Sequence, residues 1–186
     1  GVLRSFVITT VFGEDEAENE PLLNAEYRAL QDKSFCKIFG CPDKVDKVKI
    51  DDEGNPEKNG DKYRTDKLPT ALAEEHSGNI IFFDAYPCES PRGKIKTDIM
   101  NPHYPEYYNG DLPPADWQSP NIINFLTVEN LQFQFMVGLK KGVENENVAL
   151  NGKSDTILST ISTLLRDALE NHGIGAKTAV GYGYMT

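Results

Sequence analysis

Apolar residues recur along this chain with two periods, one helical and one of strict alternation. The clearest helical stretch is Ser154–Asn171, where Ile157, Ile161, Leu164, Leu165 and Ala168 fall on one stripe. Ser154 is placed to cap its start, Asp155 suits the first turn, and Gly173 supplies the stop. Val2–Val11 is apolar with Arg4 and Ser5 at the exposed phase, which predicts a second helix. Asn24–Phe39 predicts a third, with Tyr27, Leu30 and Phe35 on one side and Phe39-Gly40 at its end.

Strand patterns occupy the middle. Asn79–Tyr86 contains Ile80-Ile81-Phe82-Phe83, a run that predicts a strand covered on both faces. Ile95–Met100 predicts a partner strand, and Ile122–Val128 and Leu131–Gly138 predict two more. In the last of these, Leu131, Phe133, Phe135 and Val137 alternate with Gln132, Gln134 and Met136, the period of a half-buried strand. Val180–Met185 predicts a short final strand. The order is helix, helix, strands, long helix, strand. It implies an α+β fold with helices packed on one face of an antiparallel sheet.

Between the elements lie segments of different character. Glu14–Glu20 reads as a solvated acidic loop. Asp43–Lys67 holds eight acids and seven bases and almost no large apolar residue, a composition expected of a mobile insertion or long loop. Asn101–Pro120 is an aromatic, proline-rich loop carrying His103, Tyr104, Tyr107, Tyr108 and Trp117.

The C-terminal run from His172 to Thr186 changes the picture most. Gly173, Gly175, Gly181 and Gly183 fall within eleven positions, too dense for a core and suited to left-handed turns and close backbone approach. Lys177 is the charge among them, so the run reads as a loop shaped for an extended anionic ligand. Nucleotide-binding loops run strand, loop, helix and place a helix N-terminus at the phosphate. Here the order is helix, loop, strand, and the helix end nearest the loop repels anions. A Walker loop needs glycine before Lys-Thr, where Ala176 stands, and the sixth position of a dinucleotide pattern from Gly173 is Thr178. Both readings fail on spacing.

The formal net charge of −10 weighs against nucleic acid, because phosphate neutralisation dominates that affinity. Much of the acidity is local, however, and cations cluster elsewhere: Arg92, Lys94 and Lys96, then Lys140-Lys141. A segregated basic face would reconcile the two. The three cysteines, Cys36, Cys41 and Cys88, offer no second pair to complete a zinc site, and read as inert thiols of a reducing cytoplasm. No apolar run approaches membrane-spanning length. No metal, cofactor or membrane partner is expected.

The glycine run after a long helix, Gly173-Ile-Gly-Ala-Lys177-Thr178-Ala-Val-Gly181-Tyr182-Gly183, resembles the RAMP superfamily of CRISPR proteins. Gly1-Val2-Leu3-Arg4 resembles the tail of that family's first-helix segment. Phe39-Gly40, Gly78–Pro87, Asp98–Tyr104, Tyr107-Tyr108, Pro114–Trp117 and Phe125–Val128 are similar to one branch of it, the sixth-subunit family of the type III-B effector, the Cmr complex. The resemblance implies a ferredoxin-like, RNA-recognition-type antiparallel sheet. It implies one domain over 1–186, lacking its first strand, with large insertions near 40–75 and 101–120. It also implies a non-catalytic backbone subunit that holds guide CRISPR RNA near the guide's 3′ end, touches neighbouring backbone subunits and helps present the guide to target RNA.

On that reading the RNA contacts are Arg4, Gly173, Gly175, Lys177, Thr178, Gly181 and Tyr182. Arg92, Lys94 and Lys96 would add to them, since alternate residues of an extended stretch share a side, although a solvated strand edge explains those three equally well. The rival reading is an endoribonuclease of the same superfamily with His103 as acid or base, because histidine titrates near neutrality. No partner for His103 is visible, and a packed histidine in an aromatic loop is the plainer account. Asp84 and Asp98 are expected on neighbouring strands as hydrogen-bonding carboxylates.

Overall fold

A computed structural model describes residues 1–13, 23–49, 51–53, 55–60, 62–89, 92–100, 122–150 and 152–186. They form two compact units: residues 1–82 with 137–186, and residues 83–136 inserted between them in sequence. Helices and small antiparallel strand pairs are mixed, an α+β construction. Each pair among the described residues is two-stranded, so the strands do not form the single sheet expected of them.

The first unit holds the core. Helix α1 (Val2–Phe12) buries Leu3, Phe6, Val7 and Ile8. The single helix expected over 24–39 is two, α2 (Leu23–Gln31) and α3 (Lys33–Phe39). Asp32 divides them: it sits in extended backbone, and its carboxylate accepts a hydrogen bond from the Phe35 amide at 2.7 Å. A short acidic side chain competes with the helical ladder in this way and caps the next helix instead. Phe35, fully buried, then gathers Phe12 at 5.6 Å and Phe39 at 5.0 Å between ring centroids. Arg28 donates to the Phe12 carbonyl at the end of α1, a favourable place for a cation.

The charged stretch expected to be a loop is a β-ribbon. Strands β1 (Lys44–Val48) and β4 (Thr65–Pro69) pair antiparallel, with β2 (Lys58–Asn59) and β3 (Lys62–Tyr63) paired between them. Composition misled because order decides here: opposite charges fall across the ladder, giving Lys67–Asp46 at 2.6 Å and Lys49–Asp66 at 3.0 Å. Such exposed pairs contribute little each. The anchor is Val45, opposite Leu68, which packs on the core.

Further along, β5 (Ile80–Phe82) pairs antiparallel with β10 (Val137–Leu139), and β6 (Tyr86–Pro87) with β9 (Phe133–Gln134). The partner of 79–86 is thus 131–138 and not the expected 95–100, and the burial alternation from Leu131 to Val137 follows the sequence pattern. Two details differ. Ile80 packs against the core, but Ile81, Phe82 and Phe83 are exposed rather than covered on both faces. The stretch at 95–100 is β7 (Lys94–Met100), and its partner is β8 (Ile123–Glu129), in the second unit.

Strands β11 (Asn147–Leu150) and β12 (Lys153–Thr156) form a tight hairpin whose Val148 and Leu150 face the core. The hairpin claims Ser154 and Asp155 as strand, so the long helix α4 spans Ile157–Asn171 with Thr156 as its cap, two residues later than expected. Asp155 still serves this end: the hydrogen bond from the Ser159 hydroxyl, at 2.5 Å, holds its carboxyl below the usual range. Ile157, Ile161, Leu164 and Ala168 are buried as the stripe requires. The final strand expected over 180–185 is absent from the described residues; Thr178–Val180 is a 3-10 turn.

One contact ties α3 to β5. Gly40 and Gly78 lie backbone against backbone, both at positive φ, +87° and +72°. A Cβ on Gly78 would stand 2.7 Å from the Ile38 carbonyl oxygen. Beside them Cys41 and His76 exchange two backbone hydrogen bonds of 2.8 Å, and the Asn79 amide donates to the Lys37 carbonyl at 2.8 Å. Gly78→Ala is therefore expected to cost roughly 3 kcal/mol or more. Gly60→Ala, also at positive φ but with nothing within 4 Å, should cost only about 1 kcal/mol. Chemical denaturation of the two variants beside the parent checks the contrast.

Candidate nucleic-acid interface

Helix α4 ends at His172, whose amide and that of Gly173 both donate to the Ala168 carbonyl at 2.9 Å. Gly173, at φ +75°, turns the chain away. The loop that follows has a neck and a tip. At the neck the Ile174 amide donates to the Gly183 carbonyl at 2.9 Å. A Cβ on Gly173 would stand 3.2 Å from the Gly183 backbone, and one on Gly183 only 2.1 Å from the Ile174 carbonyl oxygen. Beyond the neck the Met185 amide donates to the Leu169 carbonyl at 3.0 Å, fastening the tail along α4.

The tip is built differently. Gly175 (φ +100°) and Gly181 (φ +98°) need their backbone conformation but have nothing within 4 Å where a Cβ would stand. Between them Lys177 is left-handed at φ +64°, a sparsely populated state for a side-chain-bearing residue. It opens the 3-10 turn, which is closed by hydrogen bonds from Val180 and Tyr182 to the Lys177 carbonyl and from Gly181 to the Thr178 carbonyl. The amides of Ile174, Val180, Gly181, Tyr182 and Met185 are thus engaged within the chain. An anionic ligand must be met elsewhere in the tip and by side chains.

The expected contacts therefore separate into classes. Gly173 holds the neck; Gly175, Lys177, Thr178, Gly181 and Tyr182 make the tip. Gly183, which was not among the expected contacts, closes the neck with Gly173. Arg4 has structural work: its guanidinium meets the Glu26 carboxylate at 2.8 Å and lies 5.5 Å over the Phe35 ring, tying α1 to α2 and α3. The same helix approaches the loop's base through Phe6, 6.1 Å from the His172 ring. Arg92, Lys94 and Lys96 lie in the second unit, apart in the chain's organisation from Lys177. Lys96 is paired with Glu129 at 2.5 Å, an exposed contact that competing anions displace at small cost.

His103, with Tyr104, Tyr107, Tyr108 and Trp117, lies outside the described residues. His76 sits in the Cys41 bridge, with a buried Nε2 that has no hydrogen-bond partner among the described residues. Asp84 and Asp98 are not on neighbouring strands: Asp98 is opposite Phe125 and accepts from the Ile99 amide at 2.7 Å, while Asp84 lies between β5 and β6. Ladder pairing of β7 with β8 rather than with 79–86 is the reason. No group of three or more His, Cys, Asp or Glu side chains could hold a metal among the described residues. No helix among them is long and apolar enough to cross a membrane. Cys36 and Cys41 are buried and Cys88 is exposed, all three free. Burial, and then the contact with Cys41, pushes the Cys36 thiol up to about 12.

The model describing the RAMP superfamily matches residues 1–186 of the chain. A protein of Pyrococcus furiosus named CRISPR system Cmr subunit Cmr6 is 35% identical over 119 residues, 60% of this chain and 32% of that protein. The chain thus spans about a third of that relative's length. A crystal structure of Cmr6 from Pyrococcus furiosus is similar at 26% identity and a TM-score of 0.44, over 99% of this chain and 78% of that one.

Three outcomes follow from this geometry. Gly183→Ala should loosen the loop and expose the end of α4 to faster amide exchange, whereas Gly175→Ala should leave that exchange near the parent's. In native protein a chromogenic disulfide reagent should titrate Cys88 alone, with Cys36 and Cys41 reacting on unfolding. Since the Cys36 thiol lies above its unfolded value of 9.0, its share of stability is complete below about pH 9 and lost as pH rises through about 12. Denaturation across that alkaline range, with and without Cys36→Ala, reads the difference.

Proposed function

The chain belongs to the RAMP superfamily, and on that premise we propose that it is a guide-RNA-holding backbone subunit of a type III-B CRISPR effector complex. It caps the filament near the guide's 3′ end, contacts neighbouring subunits and helps present the guide to target RNA. It performs no cleavage and needs no cofactor. Its strand pairs and helices belong to a ferredoxin-like, RNA-recognition-type scaffold.

The observation that carries the reading is the two-part C-terminal loop. The neck is closed by Gly173 and Gly183, where a Cβ would stand 3.2 Å and 2.1 Å from facing backbone, and the tip is open at Gly175 and Gly181 with Lys177 between them. Two glycines with free space on their Cβ side let a phosphate backbone approach the main chain. The C-terminal end of α4 supplies a negative dipole at the loop's base, so attraction has to come from Lys177 and its tip neighbours rather than from the helix. Arg4 joins only by leaving Glu26. Arg92, Lys94 and Lys96 form a second cationic set along the RNA. A surface of this kind follows phosphates and leaves base edges free, as guide presentation requires.

Lys177→Ala should weaken guide-RNA binding to a similar degree for unrelated sequences. It should also reduce the slope of log affinity against log salt by about one. Filter-binding titrations at several salt concentrations measure both; base-selective loss, or none, counts against Lys177 as a phosphate contact. In the same series the parent protein should leave repeat RNA intact. Cleavage that His103→Ala abolishes would establish the endoribonuclease reading in its place.

A further inference from the structure

Cys36 and Cys41 meet in the core at the end of α3, and the RNA-holding reading makes no use of them. Their side chains are in hydrogen-bonding contact with each other. The local chain path brings this about. Helix α3 stops at Gly40, whose amide donates to the Cys36 carbonyl at 2.9 Å. Gly40 then turns at φ +87°, and Cys41 enters its bridge with His76. Two adjacent residues of the facing segment reach the two cysteines. The Thr70 hydroxyl lies 3.5 Å from Cys41 Sγ, and the Ala71 backbone touches the Cys36 thiol.

No third side chain completes a metal site around them among the described residues. What two touching thiols can do, and one cannot, is close a disulfide. Closure here would leave no buried acceptor stranded. Cys36 donates to the Leu30 carbonyl at 3.3 Å, but that oxygen also accepts from the Ala71 amide at 2.9 Å. Cys41 donates to the Glu74 carbonyl at 3.9 Å, and Glu74 is exposed, so water can take the thiol's place. The two thiols differ in reach. Cys36 is fully enclosed, and burial pushes its thiol up to about 12, so it is a poor nucleophile toward anything from outside. Cys41 keeps 6% of its surface exposed. The reagent that starts the reaction must therefore be small and must meet Cys41.

We propose that Cys36 and Cys41 are a modification site, a dithiol that hydrogen peroxide converts to a disulfide stapling the last turn of α3. The Cys41 sulfur attacks one peroxide oxygen and the O–O bond breaks. One oxygen stays on the sulfur as a sulfenic acid, and the other leaves as water with the thiol proton. The Cys36 sulfur then displaces the sulfenic oxygen, which departs as a second water carrying the Cys36 proton. Two thiols are oxidised and one peroxide is reduced, with no further reactant. The ring so closed contains Gly40, which makes the crossing with Gly78 harder to open.

The test treats the native full chain with hydrogen peroxide, in the parent and in Cys88→Ser, which removes the exposed thiol. Cys36→Ala and Cys41→Ala are each added to Cys88→Ser. Oxidised Cys88→Ser should weigh less by two hydrogen atoms and yield a linked Cys36–Cys41 peptide on digestion. It should offer no thiol on unfolding until dithiothreitol is added. Its thermal midpoint should rise by roughly 5 °C, and the alkaline loss of stability due to Cys36 should disappear. With Cys36→Ala, Cys41 should be trapped by dimedone as the sulfenic acid; with Cys41→Ala, Cys36 should stay reduced. Should either added substitution prevent folding, the linked peptide from Cys88→Ser decides alone. Thiols that survive peroxide in folded Cys88→Ser overturn the proposal, as does oxygen gained at Cys41 without a cross-link. A cross-link that forms only in denaturant, or one that lowers the thermal midpoint, also overturns it, since neither is a staple of the native fold.

Discussion

The strands beneath the loop's helix are set by one crossing of bare backbone in the first unit, Gly40 over Gly78. Neither position admits a Cβ, and each is at positive φ, so the chain can pass itself at this distance only with glycine on both sides. The crossing sets where α3 stops and where β5 starts, and the Asn79 carbonyl passes the position on to Lys140 beyond β10. Helix α4 packs against β10, β11 and β12. The base of the C-terminal loop is therefore linked to a contact some hundred residues earlier in the chain, by main-chain hydrogen bonds as far as Lys140 and from there by the packing of α4.

Glycine recurs at the loop itself with a division of roles. At the neck it permits contact between two backbone segments of this chain; at the tip it leaves space that nothing among the described residues fills. The difference matters for interpretation, because a glycine that is already in contact is explained by the fold. Only the tip glycines ask for a ligand. Lys177 belongs with them, since a left-handed lysine costs strain of about 1–3 kcal/mol that the 3-10 turn behind it must hold in place.

Much of this was legible from residue order. The helices α1 and α4, the strands within 79–86 and 131–138 and the glycine loop all follow from period and punctuation, the signals that survive without tertiary context. What failed, failed for identifiable reasons. Counting charges in 43–67 without asking which fall opposite one another hid the ribbon, because a ladder of Lys against Asp looks like disorder in composition. Asp32 was absorbed into a helix by the apolar residues around it, although its side chain favours a cap. Ser154 lost the capping position to Thr156 because Val148 and Leu150 draw the preceding residues into a hairpin, a non-local effect. Arg4 read as a free cation because Glu26 is twenty-two residues away. The strand expected at 180–185 was overridden by the neck, which bends the chain where alternation would have kept it straight.

The second unit leaves the first after Phe82 and returns at Val137, and these two residues are cross-strand partners in the β5–β10 pair. The chain thus departs and comes back at one rung of a ladder. Any length of sequence can be spliced in at such a rung without moving the rungs below it, because the host has only to keep two adjacent ends adjacent, and the entropy of that closure grows slowly with loop length. The unit that carries the β7–β8 ribbon is in this sense an appendage that natural selection could lengthen, exchange or shorten to a turn. The core that locates the glycine loop would not have to be rebuilt each time.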